Sequence, residues 1–139
     1  MVAADPKLPA SHRKLIFVTP EGDVSADQAS SEILGRFASR AFRRPATSQE
    51  VDRLVKLASK VRAESGRFEE GIQVAMQAVL VSPHFLFKVE TPKNVEVRGQ
   101  MPLVSQYELA TRISYFLWSS MPDDELLLLA HRGQLREHK

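Results

Sequence analysis

Apolar residues recur along most of the chain at helical spacing, and this pattern predicts an all-α protein of about five helices. The first predicted helix spans residues 26–43. Its apolar side falls at i, i+3, i+4 and i+7: Leu34, Phe37, Ala38 and Ala41. Pro45 ends this helix, because the residue before a proline is pushed out of the helical region.

Two further helices follow. Thr47 and Glu50 have the spacing of a capping box, in which each side chain binds the other residue's backbone amide. The helix that they begin runs to about Gly66, and the next one spans 68–81. A proline then interrupts the apolar pattern, so residues 84–89 are predicted to form a short further turn of helix or a kinked extension.

The C-terminal region predicts two more helices. Ser105 and Glu108 have the spacing of a second capping box. The apolar face predicted for this fourth helix consists of Leu109, Ile113, Phe116 and Leu117. The fifth helix spans 123–132, and adjacent acids stand at its start: Asp123, Asp124 and Glu125. Neighbouring residues on a helix point in different directions, so the three acids cannot all bind one cation. Their position at the helix start is better explained by their favourable interaction with the helix dipole.

These elements divide the chain into four segments. We expect an irregular N-terminal segment over 1–24, with a short extended stretch at 14–18, and then a small three-helix domain over 25–90. A linker over 91–102 contains two prolines and one glycine. Residues 103–139 are expected to form the first two helices, a helical hairpin, of a second domain that is apparently truncated. Short connections favour antiparallel neighbours in both domains.

The composition places the chain among globular proteins and excludes several kinds of site. Hydrophobic residues make up 43% of the 139 residues and charged residues 26%, which excludes disorder of the whole chain. Cysteine is absent, so the chain has no disulfide, cysteine-ligated zinc, thiol nucleophile or C-x-x-C-H haem attachment. No apolar run approaches the ~20 residues of a spanning helix, and no signal peptide is visible. We therefore expect no transmembrane segment, and localisation stays open.

Positive charge is concentrated in the middle of the chain. Residues 36–67 contain nine basic and three acidic residues, a net charge of +6 in a chain whose formal net charge is +2. Seven of these basic residues are candidates for an anion-binding surface: Arg36, Arg40, Arg43, Arg44, Arg53, Lys56 and Lys60. Their helical spacing fits a phosphate-binding surface or, more commonly, two solvated helix faces. Arg43 and Arg44 also suit the C-terminus of a helix.

No catalytic, metal-binding or cofactor-binding motif is present. The four histidines do not form H-E-x-x-H or a similar ligand spacing. His84 lies beside a predicted helix break, where hydrogen bonding or capping explains it better than catalysis or metal ligation does. An aromatic set on the fourth helix is expected either in the core or on a docking face: Tyr107, Tyr115, Phe116 and Trp118.

Three blocks of sequence resemble two adjacent domains of unknown function in large planctomycete proteins. The blocks are RFASRAFRRP at 36–45, then FEEGI at 68–72 with AVLVSPHFLF at 78–87, and finally YELA at 107–110 with SYFLWSSMPD at 114–123. Proteins of this kind often carry a cytochrome-c-like domain and are usually exported. The resemblance therefore implies an exported, cytochrome-linked parent protein. Any haem would lie elsewhere in that parent, since no cofactor is expected in this chain.

Three functions are compatible with these observations. The first is a non-catalytic structural or interaction module, whose partner is the remainder of the parent protein or a second copy. The second is nucleic-acid or polyanion binding through the basic segment 36–67. The third, suggested only by the resemblance, is a part of a polysaccharide-active or redox enzyme, and it has no candidate catalytic residue in this chain.

Overall fold

A computed structural model describes residues 10–87 and 104–136 of the chain. These residues form seven α-helices and one short 3₁₀ helix, with no strand among them. The helices are α1 (Ala10–Leu15), α2 (Ala26–Ala41), α3 (Ser48–Ser65), α4 (Phe68–Leu80), α5 (Pro83–Leu86), α6 (Gln106–Trp118) and α7 (Asp124–His131). The predicted all-α fold is confirmed. The five predicted helices correspond to α2, α3, α4, α6 and α7.

The N-terminal region differs from its prediction. Residues 10–15 form α1, where irregular chain and the start of an extended stretch were expected. Helical bonding continues to Ile16, whose amide donates to the His12 carbonyl at 2.8 Å. A helical turn satisfies these backbone groups locally, whereas an extended segment needs a neighbouring strand. The predicted linker over 91–102 lies outside the described residues.

Local side-chain caps mark the starts of α3 and α6. The Thr47 hydroxyl accepts from the Glu50 amide at 3.3 Å, and the Glu50 carboxylate accepts from the Thr47 amide at 2.8 Å. Ser105 and Glu108 form the same reciprocal pair at the start of α6. Gly66 ends α3 with a left-handed φ of 73°, which glycine adopts without steric cost. Both predicted capping boxes are therefore confirmed.

The chain divides into two compact units, Met1–Leu86 and Phe87–Lys139. In the first unit, α2, α3 and α4 pack around small and branched apolar side chains. One core cluster consists of Ile33, Leu34, Ala58, Ile72 and Ala75, and a second of Ala38, Ala41, Phe42 and Val79. Asp27 at the start of α2 pairs with Arg62 at the end of α3 at 3.3 Å. The helices α2 and α3 are therefore antiparallel.

In the described part of the second unit, α6 and α7 form a hairpin that is closed by polar bonds. The side-chain amide of Gln106 donates to the Gly133 carbonyl at 2.9 Å and accepts from the Leu135 amide at 3.2 Å. At the other end of α6, the Ser114 hydroxyl donates to the Ser120 carbonyl at 2.9 Å. These bonds set the path of the chain between and after the two helices. None of the described helices is long and apolar enough to cross a membrane.

Candidate docking site

A polar cluster joins three elements at one end of the first unit. Arg44 follows α2 and holds the Glu50 carboxylate of α3 through two bonds, at 2.7 and 3.0 Å. The Arg44 hydrogen bonds lower the pKa of Glu50 to about 2, assisted by the Thr47 amide and hydroxyl. The pKa of Arg44 is raised, chiefly by its hydrogen bond to Glu50. The pair thus connects the end of α2 to the start of α3.

His84 and Arg43 attach the short helix α5 to this cluster. The His84 ring packs against Phe42 with centroids 5.3 Å apart, and its Nε2 lies 3.6 Å from the Glu50 carboxylate. The Arg43 guanidinium donates to the His84 carbonyl at 3.1 Å and to the Phe85 carbonyl at 3.3 Å. These contacts hold the ring of His84 against Phe42 and its backbone against Arg43. The cluster joins the end of α2, the start of α3 and the short helix α5.

The structure does not bring the seven candidate basic residues together on one face. Arg43 is buried, so its guanidinium does not lie on an exposed helix face. Its backbone leaves the helical region with a φ of 58°, which turns the side chain back onto α5. Arg44 is held by Glu50. Arg36 packs over the Phe17 ring at 5.1 Å.

The remaining candidates separate onto different sides of the helices. Asp27 pairs with Arg62 and therefore faces α3. Arg36 stands nine residues later on α2, which at 100° per residue places it on the opposite side of the helix from Asp27. Arg40 is exposed and lies one helical turn beyond Arg36. Exposed side chains on α3 form the one coherent triplet of the set: Arg53, Lys56 and Lys60. Anion binding through the segment 36–67 stays a prediction.

The buried residues of α6 are small. Its buried positions are Ala110, Thr111 and Ser114. Phe116 and Leu117 of the predicted apolar face are exposed, with exposed fractions of 87% and 59%. The small side chains allow close approach of α7, and the Thr111 hydroxyl is satisfied by the Tyr107 carbonyl at 2.8 Å. Phe116 lies about 120–160° around the helix axis from Ala110 and Ser114, whereas Leu117 is exposed near the C-terminal end of α6.

We call the residues of this exposed stripe the α6 apolar face: Leu109, Ile113, Phe116 and Leu117. The first two are half-buried, and exposure increases toward the C-terminal end of the helix. Trp118, with an exposed fraction of 64%, borders this end. Contiguous exposed apolar surface of this kind is typical of interaction sites. The face is the candidate docking site.

A surface pocket lies beside Trp118 in the second unit. It has a volume of about 330 Å³, near the lower end of the ~300–1,000 Å³ range of ligand pockets. Apolar side chains and two acids share its wall: Trp118, Met121, Leu129, Asp123 and Glu125. Sequence reasoning assigned the two acids only to the helix dipole. One feature of the sequence could have indicated the pocket: no Lys or Arg stands between Arg112 and Arg132, so these acids have no basic neighbour along the chain.

The two tyrosines of the predicted aromatic set have different surroundings from Phe116 and Trp118. The Tyr107 hydroxyl lies 2.9 Å from Nδ1 of His131, and burial raises the pKa of Tyr107. Tyr115 is half-buried. Tyr107 thus contributes to the α6–α7 contact, while Phe116 and Trp118 belong to the exposed end of α6.

The acids at the start of α7 act first on the helix itself. Asp123 is the N-cap residue, and its carboxylate accepts from the Leu126 amide at 2.8 Å. Asp124 and Glu125 follow in the first turn, where negative charge complements the helix dipole. Within residues 10–87 and 104–136, no group of three or more His, Asp or Glu side chains is arranged to hold a metal ion.

Comparison with known proteins identifies two adjacent family matches. Residues 29–90 match the family described as PSD5, protein of unknown function (DUF1595), and residues 104–139 match PSD4, protein of unknown function (DUF1592). The chain therefore carries two domains of unknown function in tandem. No curated protein and no solved structure matches it significantly.

Proposed function

We propose that the chain is a non-catalytic structural and interaction module of a larger exported, cytochrome-linked protein of planctomycete type. The observation that carries the proposal is the exposure of the α6 apolar face, which ends in Phe116 and Leu117 beside Trp118. The free-energy cost of leaving such side chains in water is removed when a partner covers them, at ~25 cal/mol for each Å² buried. The tandem matches to DUF1595 and DUF1592 are consistent with a module of this kind.

We propose that any haem of such a cytochrome-linked parent protein is bound outside this chain. The sequence lacks cysteine, so its residues do not fit the thioether attachment of a c-type haem. The proposed contribution of this chain is therefore mechanical: it presents a helical surface to the remainder of the parent protein or to a further partner. Export is proposed on the resemblance alone.

The proposal is tested on the purified full chain with a dye that fluoresces on apolar surface, alongside size-exclusion chromatography. We expect dye binding or self-association in the natural sequence, and a marked decrease in Phe116→Ser and Trp118→Ser. The matched control is Val81→Ser, because Val81 is 71% exposed but lies in the first unit. A clean monomer that binds no dye would contradict the proposal.

A second candidate function is polyanion binding through Arg53, Lys56 and Lys60. These residues lie at 0, 3 and 7 along α3 and are all exposed. Elution from heparin should then shift to lower salt in Lys56→Glu, because each lost phosphate contact lowers the salt dependence of binding. Reversal at Arg36, on the far side of α2, is the control. Equal elution of both variants and the natural protein would exclude this function.

A further inference from the structure

The wall of the pocket beside Trp118 is fixed by the connection between α6 and α7. Ser119 ends α6 with a left-handed φ of 53°. The Ser114 hydroxyl then holds the Ser120 carbonyl at 2.9 Å, and Pro122 is fully buried. Ser114, Trp118 and Ser120 all line the pocket, so these contacts also set its shape. The cavity of about 330 Å³ is therefore preformed, as small-molecule sites usually are.

The pocket combines apolar surface with negative charge. Three side chains supply aromatic, thioether and aliphatic surface: Trp118, Met121 and Leu129. The carboxylates of Asp123 and Glu125 stand in the same wall, and among the described residues that line the pocket none is Lys or Arg. One Asp123 oxygen caps the start of α7, while Glu125 is exposed. The N-terminus of α7 contributes only about +0.5 of an elementary charge, so the wall stays negative.

This combination of surfaces favours an organic cation. An ammonium group is attracted to the face of an indole ring by a cation–π contact and to a carboxylate by a charge-assisted hydrogen bond. An apolar group attached to the same amine is removed from water by contact with Met121 and Leu129. Mg²⁺ and Ca²⁺ need several converging oxygen ligands and gain nothing from an apolar wall. An anion would be repelled by both carboxylates.

We infer that this pocket binds a small organic cation, an amine that carries an aromatic or aliphatic group. The ammonium group approaches the Trp118 ring and the Glu125 carboxylate, and the apolar group contacts Leu129. This binding goes beyond the docking role of the α6 apolar face, because Ser114 and Trp118 reach the pocket about 160° around α6 from Phe116.

The test uses Trp118, the single tryptophan of the chain, as a reporter inside the pocket. Its indole N–H gives one separate signal in a proton–nitrogen NMR spectrum of the labelled full chain. The probes share a phenyl group on a short stem and differ in charge at pH 7: phenethylamine is a cation, phenethyl alcohol is neutral and phenylacetate is an anion. We expect phenethylamine to shift the Trp118 signal saturably, with a Kd of about 1 mM because the probe is small.

The affinities should follow the charge of the probe. Phenethyl alcohol should bind about fivefold more weakly than phenethylamine, and phenylacetate more weakly still. Glu125→Gln keeps the shape of the side chain but removes its charge, so it should weaken phenethylamine about threefold and leave phenethyl alcohol unchanged. Leu129→Ala should weaken both, because both bury their phenyl group there. The dispersion of the same spectrum shows whether each variant is folded.

Asp124→Asn is the matched control for the charge. Asp124 precedes Glu125 in the first turn of α7 but stands outside the lining of the pocket. Its loss should therefore change the affinity for phenethylamine by less than about twofold, since a charge at greater distance is screened by salt. An equal loss of affinity in Asp124→Asn and Glu125→Gln would contradict a direct contact between the amine and Glu125.

Two further outcomes would overturn the organic-cation site. Equal affinities of phenethylamine and phenethyl alcohol would show an apolar pocket that does not select for charge. A Trp118 signal that does not saturate with phenethylamine up to about 10 mM would show that the pocket does not hold an amine. Both outcomes leave dye binding by the α6 apolar face unchanged, so failure of this site is distinguishable from failure of the docking function.

Discussion

Gly71 of α4 passes so close to the Ala58 carbonyl of α3 that a Cβ atom at Gly71 would stand 2.5 Å from that oxygen. Both residues are buried in the helix contact at the centre of the first unit. Real Cβ atoms do not approach a backbone oxygen so closely, and a backbone carbonyl does not move aside as a flexible side chain can. The spacing between α3 and α4 therefore depends on the missing side chain of Gly71.

Gly71→Ala should destabilise the first unit by about 2 kcal/mol, because α3 and α4 must separate to admit the new methyl group. Gly35→Ala is the matched control in a neighbouring helix. A Cβ atom at Gly35 would meet only Val51 side-chain carbons, the nearest at 3.7 Å, which is ordinary contact. That variant should gain roughly 0.5–1 kcal/mol from reduced backbone entropy in the unfolded chain. Urea unfolding measures both, and equal effects would contradict the close approach.

The Glu50 carboxylate should make stability depend on acid pH. Its pKa is about 2 in the folded protein, against an ordinary value of 4.5, because Arg44 and Thr47 bind the ionised form. The unfolded chain then binds more protons between these values, so this contribution is complete above about pH 4.5 and is lost as the pH falls toward 2. Glu50→Gln should remove part of the acid-induced loss, at a cost of roughly 1–2 kcal/mol at neutral pH.

Urea unfolding at pH 7 and pH 3 checks this pH dependence by giving the free energy of unfolding of the natural protein and of Glu50→Gln. Glu64→Gln is the matched control, since Glu64 is an exposed acid on the same helix. The difference between pH 7 and pH 3 should shrink in Glu50→Gln and stay close to the natural value in the control. An unchanged pH dependence in Glu50→Gln would show that Arg44 does not stabilise the ionised form.

Arg43 should be the most sensitive of the basic residues in the segment 36–67. Arg43→Ala leaves the carbonyls of His84 and Phe85 without their donor and should cost about 2 kcal/mol. Arg43→Gly removes the same bonds but relieves the left-handed backbone, so it should be more stable than the alanine variant by roughly 1 kcal/mol. Arg53→Ala, at an exposed position, should be nearly neutral. An alanine variant at least as stable as the glycine variant would contradict the strained backbone.

The capping box at Ser105 should stabilise the start of α6. Ser105→Ala removes the hydroxyl that accepts from the Glu108 amide at 3.2 Å, and it should cost about 1 kcal/mol in local stability. Hydrogen exchange of the first-turn amides of α6 measures this directly. Ser31→Ala, at an exposed position inside α2, should leave the exchange of α6 unchanged. Unaltered protection of α6 in Ser105→Ala would contradict the role of the cap.

The sequence by itself determined the all-α class and the starts of α3 and α6. Helical periodicity and capping depend on residues three or four apart, so their signals lie within one turn of the chain. Thr47 with Glu50 and Ser105 with Glu108 could therefore be identified from spacing alone. The break after α4 was also local, because a proline marks it.

Only the tertiary structure decided which sides of these helices are covered. Phe116 was left open between the core and a docking face, and in the structure α6 buries the smaller Ala110 and Ser114, while Phe116 is exposed about 120–160° around the axis from them. Arg43 was a candidate for an anion-binding surface, yet a single left-handed φ turns it into the protein. A sequence pattern records where apolar and charged residues stand along a helix. The close approach of a neighbouring helix determines which of them are buried, and that approach depends on contacts distant in sequence.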